Sequence, residues 1–144
     1  MAWYWEVLRA IVDTGGLVGI CAIGTYLGGT GDIAALLDHV DYVAKRFGVD
    51  HVAIGTDVAY TSRNTSAENA KIPPQGKSRP DFIYLWPEGV FKGPPTMRKR
   101  GGLSLAWTNW PLFTVGLVQR GYSDDNIRKI LAGNMLRVAR AALQ

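Results

Sequence analysis

The stretch that decides the fold is His51-Val52-Ala53-Ile54-Gly55-Thr56-Asp57, a short apolar run that ends on a carboxylate. Successive side chains of a strand alternate, so Val52, Ile54 and Thr56 share one face and Ala53, Gly55 and Asp57 the other. The first face is bulky and β-branched, suited to packing against helices. The second is small and finishes in a charge, as the interior of a crowded barrel requires when its site lies at the C-terminal ends of the strands. Asp57 is therefore the first candidate for chemistry.

Working upstream, Asp32 is a good N-cap, and Ile33, Leu36, Leu37, Val40, Val43, Ala44 and Phe47 hold one helical face until Gly48 ends the pattern. Before it lies Leu17 to Ala22, a continuous apolar run of strand length with no polar face, which suits a parallel strand covered on both sides. Thr25 to Gly31 reads as the loop between them. The order strand, helix, strand is a β-α-β unit and predicts a parallel pair. Trp3, Val7, Leu8 and Ile11 place a further helix over roughly 3–13, stopped by Asp13-Thr14-Gly15-Gly16.

Downstream, residues from Tyr60 to about Gly102 show no stable periodicity and carry six of the seven prolines. A loop this long is either functional or partly disordered. Leu105 to Gln119 is apolar and helical. Ser123 caps the next helix with Asp124 and Asp125 in its first turn. Gly133-Asn134 is expected to end that helix, and Met135 to Leu143 to form the last one. Two strands cannot close a core on their own. The pattern is that of a piece of a larger α/β fold.

Composition narrows the class. At 144 residues with 47% apolar and 19% charged residues, the chain is that of one globular domain, and no apolar run approaches the ~20 residues needed to span a bilayer. Met1 to Glu6 lacks the basic start and apolar core of a signal peptide, and the sequence assigns no compartment. The net charge of +4 is segregated: residues 60–101 hold eight Lys/Arg against three acidic residues, while the rest holds eight against nine. Arg98-Lys99-Arg100 within that loop reads as a solvated tip, not as a nucleic-acid patch. Gly28-Gly29-Thr30-Gly31 lacks the lysine of a phosphate loop and reads as a turn, and the lone Cys21 reads as a small buried hydrophobe.

Val49 to Asp57 resembles the last barrel strand of the membrane (renal) dipeptidase family of zinc metallopeptidases, and Arg120 to Val138 resembles that family's closing segment. Asp38-His39-Val40-Asp41 and Thr14-Gly15-Gly16-Leu17-Val18 fit the same family. The resemblance implies a partial (β/α)₈ barrel of the TIM type, with this chain supplying strands seven and eight, the helix before them and the closing helices. It implies two zinc ions in the complete barrel, none of them bound by this chain alone, since the His-x-Asp pair, bridging Glu and middle-strand histidines are not found here. It also implies a dipeptide substrate, with Asp57 as the catalytic carboxylate and Tyr26 lining the pocket. Where the family commonly shows a second acidic residue, this chain has Ala59.

His39 and His51 tempt as metal ligands, since imidazole binds zinc, but both read as structural. His51 begins its strand, about 20 Å from Asp57 at 3.3 Å per residue. The leading expectation is thus the C-terminal portion of a binuclear-zinc dipeptidase, inactive in isolation. The alternative is a non-catalytic binding or assembly module built on the same half-barrel. Either way the expected partners are a missing N-terminal barrel half or a second copy of the chain. An in-frame continuation of the coding DNA upstream of Met1 would separate the two.

Overall fold

The computed structural model describes residues 3–57, 67, 70–71 and 103–143. Its first element is helix α1 (Trp3–Asp13), followed by β1 (Val18–Cys21), the single helical turn α2 (Gly24–Leu27), the long helix α3 (Ile33–Phe47) and β2 (Val52–Gly55). The chain closes with α4 (Trp110–Gln119), α5 (Asp124–Arg128), a π-helical turn (Lys129–Gly133) and α6 (Asn134–Ala142). The loop expected over 60–102 falls almost wholly outside the described residues.

The two strands run parallel, with Val18 opposite Val52, Gly19 opposite Ala53, Ile20 opposite Ile54 and Cys21 opposite Gly55. A backbone bond from Ala22 N–H to the Thr56 carbonyl, 3.1 Å, carries the ladder one step further. Mixed helices and a parallel pair make the chain an α/β protein, as the β-α-β pattern predicts. Val52 and Ile54 pack with Leu36, Leu37, Val40 and Val43 of α3 and with Phe113, Leu117 and Ile130 of the closing helices. Ala53, although buried, stands on the other face, outside that cluster. The bulky face thus meets helices, as its β-branched residues require.

Helix α3 forms where its caps say it should. Asp32 accepts from Ala35 N–H at 3.1 Å and is itself held by the Thr30 hydroxyl at 2.6 Å. At the other end Gly48, at φ 98°, donates its N–H to the Ala44 carbonyl. Ser123 likewise caps α5 by accepting from Asn126 N–H.

Four boundaries differ from the sequence reading, each for a visible structural reason. The run 51–57 is extended only over Val52–Gly55, because Val49–His51 winds into a 3₁₀ turn and Asp57 leaves at φ 50°. Thr25 to Gly31 is not all loop, since α2 precedes a tight return in which a Cβ on Gly24 would lie 2.6 Å from the Gly31 carbonyl oxygen. Leu105 to Gln119 is interrupted by a 3₁₀ turn at Trp107–Asn109, where the Asn109 amide donates to the Leu103 and Ser104 carbonyls. Gly133-Asn134 does not end a helix. Gly133 sits at φ −58°, ψ −42°, and Asn134 N–H bonds the Lys129 carbonyl, so the chain stays helical through a π turn.

That turn has a visible cause. The Asn134 side chain, 2% exposed, donates to the Val49 carbonyl at 2.7 Å and the Val52 carbonyl at 2.8 Å. One turn on, Arg137 donates to the Gly15 carbonyl at 2.6 Å and the Asp50 carbonyl at 2.7 Å. Widening the helix by one residue aims Asn134 at the entry to β2, a common use of π turns at special positions.

Candidate catalytic rim

Because β1 and β2 are parallel, everything that follows their C-terminal ends gathers at one rim. Asp57 stands just past β2, exposed, and Tyr26 stands on α2 just past β1, 39% exposed. Asp57 is the one non-glycine residue at positive φ among the described residues. An L-residue reaches that region only at a cost, and Asp is among the few that do so readily.

Cys21 shares the rim. It is half-buried, and its Sγ lies 3.7 Å from Asp57 Oδ2. Burial pushes the thiol up from its ordinary pKa, a backbone hydrogen bond at Ile23 pulls it back, and the charge and hydrogen bond of Asp57 add to the rise. The expectation of a merely apolar, buried cysteine is therefore corrected. The contact depends on strand register across 36 positions of sequence, which periodicity does not carry.

Both histidines are bonded to backbone oxygens, His51 at the far end of the strands and His39 at the end of α2. His51 Nδ1–H donates to the Gly16 carbonyl at 2.8 Å, beside the N-terminal ends of both strands. His39 Nε2–H donates to the Leu27 carbonyl at 2.8 Å and ties α3 back to α2. Both rings are committed to backbone oxygens by these bonds. Among the described residues no three His, Cys, Asp or Glu side chains lie together as a metal site. One carboxylate beside one protonated thiol does not fit a zinc pair, which needs several N, O or S donors around each ion.

A second polar cluster, which sequence reading left without a role, sits on the flank of α3. Arg120 donates to Asp41 at 2.9 Å, Asp38 at 2.7 Å and the Ala34 carbonyl at 3.1 Å. Tyr122 O–H and Lys45 also donate to Asp41, at 2.8 and 3.1 Å. Burial pushes the Asp41 carboxyl up, but the hydrogen bonds from Tyr122, Lys45 and Arg120 outweigh it and hold it below the usual carboxylate range. The same surroundings raise the Tyr122 phenol, through burial first and then the Asp41 carboxylate. The signal was present in the sequence, since Asp38-His39-Val40-Asp41 and Arg120-Gly121-Tyr122 are two of the quoted motifs.

Residues 5–71 match the family model for membrane dipeptidase, peptidase family M19, a span that takes in both strands, α3 and Asp57. Over that span the chain is similar to the membrane dipeptidase family. Among curated proteins, dipeptidase ataJ of Aspergillus terreus (strain NIH 2624 / FGSC A1156) is 26% identical over 137 residues, covering 92% of this chain and 25% of the relative. The chain thus spans a quarter of the length of that dipeptidase. No solved structure matches it. Among the described residues, no helix is long and apolar enough to cross a membrane.

Proposed function

We propose that this chain is the C-terminal portion of a dipeptide-hydrolysing (β/α)₈ barrel, supplying its last two strands and closing helices. The observation that carries this reading is the membrane dipeptidase match across residues 5–71, which ends beyond the Asp57 rim. The two zinc ions that this reading gives the complete barrel would be held by residues outside those described, among which no three His, Cys, Asp or Glu side chains lie together.

What this part contributes is a carboxylate, a tyrosine and the frame that points them to one rim. Asp57 binds the ammonium end of the dipeptide or carries a proton to the departing amine, both of which need a carboxylate with an oxygen facing substrate. Tyr26 borders the pocket from the neighbouring strand end. The closing helices bring no group to this chemistry. Asn134 and Arg137 grip the opposite ends of the strands.

Asp57→Asn, made in the complete enzyme, should lower kcat for dipeptides by at least about tenfold while zinc content stays constant, since general acid–base groups contribute about 10² to 10⁴-fold. His51→Gln should leave turnover nearly unchanged. A fully active Asp57→Asn enzyme would remove Asp57 from the mechanism. Loss of metal in His51→Gln would reverse the orientation of the whole strand.

A further inference from the structure

We propose that Cys21 is a positioning residue of the rim, its thiol hydrogen holding Oδ2 of Asp57 so that Oδ1 is left for the substrate. The use made of that carboxylate rests on the dipeptidase reading; the pairing itself rests on the two strand ends. Cys21 is opposite Gly55 in the ladder, and Asp57 lies two residues beyond Gly55, within 3.7 Å of the thiol. The Ala22 to Thr56 backbone bond fixes the strand ends against each other at this point.

Asp57 needs such a partner because its backbone has left the strand. At φ 50° the pleat no longer sets where its side chain points. A contact from the adjacent strand supplies that direction instead. Gly19 and Gly55 leave the neighbouring part of this face without side chains. A thiol is a weak donor, so the bond adds little to stability. Its effect is orientation, and small misplacements of a reacting group cost rate. The half-buried thiol beside a carboxylate stays protonated, which keeps it a donor.

The pairing can be read without any enzymatic activity, because Cys21 is the chain's one cysteine. Iodoacetamide alkylates a thiolate, forming an S–C bond as iodide leaves, and mass spectrometry counts the product. Removing the Asp57 charge should make the thiolate easier to form. The folded 144-residue Asp57→Asn chain should therefore be alkylated about threefold faster than wild type near pH 8, with its pH profile displaced downward. The difference should vanish in concentrated urea. Equal profiles for the folded chains, or a difference that survives urea, would overturn the pairing.

The second arm uses the complete enzyme and does not depend on Asp57→Asn folding. Cys21→Ser keeps a donor and should keep kcat, whereas Cys21→Ala should lose about threefold or more in kcat with KM and zinc content unchanged. Wild-type kcat in Cys21→Ala would overturn the positioning role. An enzyme that cuts no dipeptide would sink the dipeptidase reading, and the alkylation profiles would still decide the pairing.

Discussion

Asp41 accepts hydrogen bonds from Arg120, Tyr122 and Lys45, three side chains that reach it from two directions. Burial alone would raise its pKa, yet these donors lower it. A carboxylate depressed on folding adds stability above its unfolded pKa and loses that stability as pH falls through the folded value. The acid limb of unfolding should therefore draw on Asp41 from about pH 4 downward, near the ordinary aspartate pKa. Asp41→Asn should cost about 1–3 kcal/mol at neutral pH and flatten the acid limb, both measured by urea melts across pH. An unchanged acid limb would show that the cluster is not linked to folding. At this scale the sequence was legible where chemistry is local. His51 lies at the N-terminal end of its strand, where its position in the run puts it, whereas the bond of His39 to the Leu27 carbonyl crosses twelve positions and is not a local signal. Asn134 was not legible: beside Gly133 it reads as a helix stop, and only the carbonyls of Val49 and Val52, more than eighty positions away, explain it.

Helix α4 meets α3 through Gly116, where an added Cβ would land on Leu37 Cδ1. Leu37 is 3% exposed and would have to shift its Cδ1 to admit the new methyl. Gly116→Ala should thus destabilise the fold by about 1–3 kcal/mol through overpacking, although alanine favours the helix by about 1 kcal/mol. A raised melting temperature in that variant would mean that the helices pack more loosely than described. The same contrast explains which elements were legible. The buried face of α3 and its caps at Asp32 and Gly48 repeat within a few residues, so the sequence carries them entire. The π turn and the 3₁₀ turn at Val49–His51 answer to tertiary hydrogen bonds, which a local pattern does not contain, whereas the 3₁₀ turn at Trp107–Asn109 is tied by Asn109 to carbonyls within six residues.

Over the whole molecule, the described sheet has two strands and so two outer edges. Val7 on α1, Leu112, Val115 and Val118 on α4, and Met135 and Leu136 on α6 are each about half exposed or more. Helix α1 shows the pattern plainly, since it buries no residue fully among those described although its apolar spacing predicts a covered face. Open edges and apolar helix faces invite pairing. The isolated chain should associate, and size-exclusion with light scattering should find species larger than 15.7 kDa. A monomer that melts cooperatively would count against the partial-barrel proposal. The two ends of the sheet are built unequally. Among the described residues, one is sewn down by His51, Asn134 and Arg137 onto five backbone carbonyls, while the other includes a sulfur-to-carboxylate contact, a further rung of the ladder and the His39 bond to the Leu27 carbonyl. Mutational tolerance should follow that division. The sewn end admits change only where its five carbonyls find other donors, so substitutions at His51, Asn134 or Arg137 should be among the least tolerated in the chain.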